Sequence, residues 1–414
     1  MTKLDKLIQE LCPDGAPFRT IGECVKPIYN IKWSCSNDTE YQYIDLTSVD
    51  RDTHSIGETQ TICADNAPSR AQQIVYAQDI LLGTTRPLLR RFCAVPNEYN
   101  SQICSTGFCV LRADENIVLH RWLYHQISTT KFFDYVEKHQ KGASYPAISD
   151  ADVKKFSVPV PPLPVQREIV RILDNFTELT AELTAELTAR KQQYAYYRDV
   201  LLKCNAAIPM VKLKDIATEI YRGTGIRREE VTESGIPCVR YGEIYTTYNT
   251  WFDTCKSHTD LKYVPNPKYF EHGDILFAIT GESVEDIAKS VAYIGYEKCL
   301  AGGDIVVMKH KQNPRYLAHV LSTQAAREQK GRGKVKSKVV HSNVPSIEQI
   351  EIPLPSLDVQ ERYANVLDNF ESICNDLNIG LPAEIEARQK QYEFYRDKLL
   401  SFKEVSTNEQ WKEV

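Results

Sequence analysis

The residues best suited to chemistry form a basic run at 327–341, REQKGRGKVKSKVVH, in which six basic residues face one acid. Lys334, Lys336 and Lys338 stand on alternate positions, with Arg332 just ahead of them. In an extended ribbon the three lysines point one way and can line a row of phosphates. Charge runs are more often plain solvated loops, so the weight comes from two glycines, the lack of neighbouring acids, and a matching group in the first half of the chain: Lys138, Lys141, Ser144 and Tyr145. Arg86, Arg90 and Arg91 form a second basic group. Arginine grips guanine edges or phosphates bidentately, although the same residues also suit structural ion pairs. Thr280, closing the apolar run HGDILFAIT, completes the set of candidate DNA contacts.

Catalysis finds little support. No G-x-x-x-x-G-K-[ST] loop and no glycine-rich turn after a strand offers a nucleotide cradle. Asn266-Pro267-Lys268-Tyr269 resembles the NPPY-type motif of adenine methyltransferases, but its third residue is lysine and no cofactor loop precedes it, so it reads as a turn. The nine histidines include no i, i+4 pair around a carboxylate, and the twelve cysteines include no CxxC; no metal site is expected, and the thiols read as buried and reduced. The net charge of −5 argues at first against nucleic acid. It is uneven, however: over 358–387 seven acids face only Arg362, for −6, while the basic run carries +5. Acid on helices and base on a loop leave DNA open as a partner. No apolar run is long enough to span a bilayer and no signal-peptide stretch opens the chain, so a cytoplasmic location and no membrane partner are expected.

These residues need positioning, and residues 165–203 supply the means. Val165, Ile169, Ile172, Phe176, Leu179 and Leu183 follow coiled-coil spacing, the pattern slips by four at Leu187, and it resumes through Tyr194, Tyr197 and Leu201. The slip comes from a repeated Thr-Ala-Glu-Leu unit. One helix of ~58 Å is expected, a spacer rather than an ordinary globular helix. The same text returns at 359–400: VQERYANVLDNF repeats VQREIVRILDNF at an offset of 194, and ARQKQYEFYRDKLL repeats ARKQQYAYYRDVLL at 198. Its seam is predicted at Val359, Tyr363, Val366, Phe370, Ile373, Leu377, Leu381, Ile385, Tyr392, Tyr395 and Leu399. Gly380-Leu381-Pro382 predicts a break or kink, with Pro382 restarting the helix. Two matched seams in one chain predict an antiparallel pair.

The globular text is doubled as well. AQDILLGTT (77–85) answers HGDILFAIT (272–280), WLYHQIST (122–129) answers YLAHVLST (316–323), and VPVPPLPVQ answers EIPLPSLDVQ. The expected fold class is α+β: two similar mixed domains, 1–157 and 205–355, alternating with helical segments 158–204 and 356–403, and a tail 404–414. Antiparallel helices would place the domains about a pseudo-twofold axis. Strands are predicted at 17–25, 41–49, 74–84, 208–217, 236–244 and 272–280, and a helix at 120–139.

The doubled layout, the proline-rich entries, the paired LDNF, the ARKQQYAYYRD and GLPAEIEARQKQYEFYRD stretches and the Thr-Ala-Glu-Leu repeat together resemble the DNA specificity (S) subunit of type I restriction-modification systems, with a repeat like that of the IC group. The resemblance implies a non-enzymatic subunit whose two domains each read one half of an asymmetric bipartite site on double-stranded DNA. It also implies that two modification subunits dock on the helices and bring S-adenosylmethionine and adenine-N6 methylation. Restriction subunits would add ATP-driven translocation and cleavage, leaving this chain without a cofactor. Phe176, Leu179, Leu183, Leu187, Tyr194, Phe370, Leu377, Ile385 and Tyr392 are the spacer and docking positions expected on the helices. A protein-binding coiled-coil adaptor and a stand-alone DNA methyltransferase are the alternatives; steep salt dependence of DNA binding excludes the first, and failure to bind S-adenosylmethionine excludes the second.

Overall fold

The long stretch of coiled-coil spacing is one helix of 39 residues, Leu163–Leu201, in the computed structural model, which describes residues 2–35, 39–203, 208–332, 339–375 and 380–405. Pro164 lies in its first turn, where a missing N–H has no intrahelical partner to lose. The C-terminal copy is carried by two helices, Leu357–Asn375 and Leu381–Leu399. Pro382 again falls in a first turn, and the Gly380 carbonyl accepts from the Ala383 and Glu384 amides at 3.1 and 3.3 Å. The predicted restart is therefore present. The seam position Leu377 lies outside the described residues.

The chain divides into two units, Met1–Leu183 with Ile385–Val414, and Thr184–Glu384. The first division falls inside the Thr-Ala-Glu-Leu repeat, so each unit owns one mixed domain, one stretch of the long helix and one stretch of the C-terminal helices. Inside the first unit Phe176 stacks on Tyr395 with ring centroids 5.7 Å apart. Inside the second, Tyr197 meets Phe370 at 6.0 Å. Later residues of the long helix meet earlier residues of the C-terminal text, which is the antiparallel order.

In the first unit an antiparallel sheet runs Val25–Lys26, Phe108–Ala113, Ile80–Gly83, Phe92–Ala94, and a mixed sheet runs Gln60–Ile62, Tyr41–Ile44, Gln102–Ser105, Ala71–Val75. The second unit has two five-stranded sheets, one built on Ile275–Ala278 between Ile305–His310 and Ser290–Tyr293. The repeat extends to register: Ile80 opposes Leu111 in one unit and Ile275 opposes Met308 in the other. The main core of the first unit packs Trp122, Phe132 and Leu111 against Val165, Ile169 and Leu173 of the long helix. Full burial of each such aliphatic side chain contributes ~1.5–3 kcal/mol.

Several sequence expectations need correction. The strand predicted over 17–25 is interrupted by a 3₁₀ turn, Ile21–Cys24, whose Glu23 carboxylate accepts from the Thr20 amide and hydroxyl. The run 74–84 is two strands, broken where Gln78 takes φ 73° and Asp79 accepts from the Tyr76 amide at 2.8 Å. The helix over 120–139 is two, His120–Ser128 and Thr130–His139, because Thr129 caps the second through the Phe132 amide. Strands at 208–217 and 236–244 give way midway to the helices Leu213–Ile216 and Tyr241–Thr246. Val366 and Ile373 of the predicted second seam are exposed, although Phe370 meets Tyr197 of the long helix; the buried stripe, Gln360, Ala364, Leu367, Glu371 and Cys374, lies one residue later at the same 4-3-4-3 spacing. A helix that packs on a domain and on another helix carries two neighbouring stripes, and apolarity alone does not tell them apart.

Candidate nucleic-acid interface

In the first unit two loops are held edge to edge. Thr85 and Ala147 form an antiparallel bridge, the Arg86 amide donates to the Pro146 carbonyl at 2.7 Å, and the Ile148 amide donates to Thr84 O at 3.0 Å. Lys141 and Ala147 exchange amide bonds of 2.8 Å each, closing a tip over 142–146. Gly142 has φ 101°, and a Cβ there would meet the Tyr145 carbonyl at 3.0 Å, so the turn needs glycine. This tip is exposed, with Tyr145 at 70%, and the Arg86 guanidinium lies 4.5 Å from the Tyr145 ring centroid. Lys138, Lys141 and Ser144 are exposed beside it. The structure thus brings Arg86, Lys141, Ser144 and Tyr145 together. Arg90 lies over Phe133 at 4.7 Å, and Arg91 donates to the Leu46 and Val49 carbonyls at 2.9 and 2.8 Å, so its guanidinium is engaged within the domain.

The second unit repeats the frame. Thr280–Gly281 pairs with Val340–His341, Thr280 Oγ1 lies 3.2 Å from His341 Nδ1, and the Ser342 amide donates to Ile279 O at 2.8 Å. Arg332 is exposed where the helix Gln324–Gly331 ends. Lys334, Lys336 and Lys338 lie outside the described residues. One residue that reads as a surface cation in the sequence is not one: Lys330 is buried, its Nζ donating to Ser290 Oγ at 3.0 Å and Leu321 O at 2.8 Å. Burial, and then the Arg327 charge, bring its ammonium down to about 7. It lines a cavity of about 480 Å³ with Lys289, Arg327, Glu371 and Tyr194. The i+3/i+4 pattern could have revealed Lys330, since Ala326 and Lys330 share the buried face of that helix.

Both domains are tied to their helices by the same buried network, which sequence spacing does not disclose. In the first unit Asp174 accepts from His125 Nε2 at 2.8 Å and from Arg121 Nε at 3.0 Å, while His125 Nδ1 lies 2.9 Å from the Tyr392 hydroxyl. Burial keeps His125 neutral, so Nε2–H donates to the carboxylate and Nδ1 accepts from Tyr392. Burial alone would raise the Asp174 carboxyl; the bonds from His125 and Arg121 outweigh it and hold it at about 2. In the second unit Asp368 takes the place of Asp174, accepting from His319 Nε2 at 2.7 Å and Trp251 Nε1 at 2.9 Å, with Tyr194 3.0 Å from His319 Nδ1. Candidate metal-ligand atoms of His319, Asp368 and Glu371 lie within 4.8 Å of one another, but Glu371 accepts from Thr250 and Asp368 from His319, so protein donors already occupy these oxygens. Gln166 and Gln360 repeat too, each amide donating to a carbonyl of its proline-rich lead-in, Pro161 and Pro355, at 2.8 Å.

The other seam candidates divide by environment. Phe176, Leu183, Leu187, Phe370 and Ile385 are half-buried and Leu179 is exposed.

This doubled architecture has counterparts among known proteins. The family model for the type I restriction modification DNA specificity domain matches residues 27–190 and 208–387. The chain belongs to that family. It is a DNA specificity subunit of the type I restriction-modification kind, and it is 31% identical over 316 residues to the type I restriction enzyme EcoR124I/EcoR124II specificity subunit of Escherichia coli, covering 72% of this chain and 74% of that one. Its fold is similar to a chain from a structure of a type I R-M system concerned with complex assembly and conformational transition, at TM-score 0.64, 21% identity and 94% and 98% coverage of the two chains. The S subunit of a type I system from M. genitalium matches at TM-score 0.50 and 13% identity, over 93% of this specificity subunit and 96% of that chain.

Proposed function

We propose that each domain reads one half of an asymmetric, bipartite site on double-stranded DNA, and that the helices set the unread spacer and dock two modification subunits, to which restriction subunits add. The observation that carries this reading is the repeated loop frame: Arg86, Lys141 and Tyr145 at 85–86/141–147 in one unit, and Thr280 and His341 at 280–281/340–341 in the other. Paired loop edges presenting polar side chains at equivalent places in two domains, with cations beside the first, suit two separate duplex contacts. Lys334, Lys336 and Lys338 would add phosphate contacts to the second.

In this reading the chain is non-catalytic and holds no cofactor; S-adenosylmethionine and ATP belong to the partner subunits, and the complex works in the cytoplasm. Among the described residues no helix is long and apolar enough to cross a membrane. Tyr196 and Phe394 occupy equivalent positions at the 198-residue offset and are 65% and 63% exposed, which suits them as aromatic anchors for modification subunits. The Thr-Ala-Glu-Leu repeat supports membership of an IC-like group.

The test is DNA affinity as a function of salt for the subunit with its modification partners. Changing Lys334, Lys336 and Lys338 to alanine lowers the salt slope by about one for each phosphate no longer neutralised, while sequence preference stays. An unchanged slope with altered preference contradicts the phosphate role.

A further inference from the structure

The turn that follows the first of these loops is built as a wedge. Residues 86–90, Arg-Pro-Leu-Leu-Arg, form a 3₁₀ turn over Pro87–Leu89 with Pro87 buried as its root. Leu88 and Leu89 stand on its tip, 43% and 39% exposed. Both flanking arginines take left-handed backbone, φ 48° at Arg86 and 53° at Arg90. These are two of six non-glycine residues with positive φ among the described residues, a conformation that L side chains adopt at a cost and that persists where the surroundings impose it. The surroundings do: the Arg86 amide is bound to Pro146 O, the Leu89 amide donates to Arg86 O at 2.9 Å and the Arg90 amide to Pro87 O at 2.9 Å. The result is a turn fixed by backbone bonds that exposes two leucines, flanked in sequence by Arg86, whose guanidinium lies over exposed Tyr145, and Arg90, whose guanidinium lies over Phe133. No carboxylate pairs with Arg86 or Arg90 among the described residues.

The equivalent turn of the second unit is different. Residues 281–288, GESVEDIA, keep Ile287 and Ala288 buried and expose Glu282, Glu285 and Asp286. A feature needed merely to close the loop would recur there; exposed leucines do not.

We propose that Leu88 and Leu89 insert between adjacent base pairs of the half-site contacted by the first unit, unstacking one step, while Arg86 and Arg90 hold the flanking phosphates. This rests on the reading of the domains as DNA readers. Apolar side chains flanked by cations are the chemistry that opens a base step, and the cost of unstacking falls on the sequence opened, so the pair selects deformable steps without hydrogen-bonding a base. Only one half-site is opened, because among the described residues only the first unit carries the wedge.

The experiment uses the full subunit with its modification partners and duplexes carrying 2-aminopurine, which brightens on unstacking, at each purine of both half-sites except the methylated adenines. The wild type brightens one step in one half-site. Leu88→Ala with Leu89→Ala abolishes that rise and weakens binding about tenfold, and Leu88→Met with Leu89→Met keeps both. These side chains are exposed on a turn fixed by backbone bonds, so the substitutions leave the domain folded. Sequence-selective binding with an unchanged signal in the alanine variant overturns the wedge alone. A wild-type subunit without sequence preference overturns the underlying DNA reading and the wedge with it.

Discussion

The Tyr392 hydroxyl lies 2.9 Å from Nδ1 of His125, joining residues 267 positions apart in the chain. His125 belongs to the first domain, its other ring nitrogen binds Asp174 of the long helix, and Tyr392 comes from the C-terminal helices. One imidazole therefore ties three segments together, and Tyr194, His319 and Asp368 do the same in the second unit.

Removing either hydroxyl leaves a buried imidazole nitrogen unpaired. Tyr392→Phe and Tyr194→Phe each lower unfolding free energy by about 1–3 kcal/mol, measured by urea titration. Having no partner in common, the two effects add within about 0.5 kcal/mol; an effect near zero for both shows that the networks do not anchor the helices.

Acid should release the first of these anchors. Asp174 is held at about 2 when folded against an ordinary 3.8, so the unfolded chain binds more protons between those values. Its contribution is complete above the ordinary value and disappears as pH falls from about 4 towards 2. Asp174→Asn starts less stable at pH 6 and shows a shallower loss on acidification; equal pH profiles for both proteins contradict the assignment.

Much of this architecture is legible in the sequence, because helix spacing and a repeat at 194–198 residues are one-dimensional patterns. Period alone places Val165, Ile169 and Phe176. It does not place the anchors, since His125, Asp174 and Tyr392 are each unremarkable in their own stretch and gain meaning only when three distant segments meet. Val366 and Ile373 fit the seam by spacing, yet Ala364 and Leu367, one residue later in phase, face the domain. Lys330 reads as one more member of a basic run, although the Ser290 hydroxyl and Leu321 carbonyl hold it in the interior.

Lys330 gives a pH signature of the same sign in an alkaline window. Its ammonium is brought from 10.5 to about 7 by burial, so between those values the unfolded chain binds more protons and stability rises with pH. The difference in melting temperature between wild type and Lys330→Met should therefore shift towards wild type from pH 7 to pH 10. A constant difference shows that the ammonium is not held in this way.

Adding one Thr-Ala-Glu-Leu unit after Leu187 should lengthen the unread spacer and leave both half-sites unchanged. Four residues add ~6 Å of rise and ~40° of rotation. One base pair adds ~3.4 Å and ~35°. Rotation sets which way a domain faces its groove, so the expected change is about one base pair. Altered half-site bases in the insertion variant, or an unchanged spacer, show that the repeat is not the ruler.

The most direct measurement is the methylome of a host carrying this subunit and its modification partner as the sole such system. The account predicts one motif of two unrelated half-sites separated by a fixed unread stretch, with methylated adenine in both halves. A single contiguous motif, or methylation without sequence preference, would contradict the claim that each domain reads its own half.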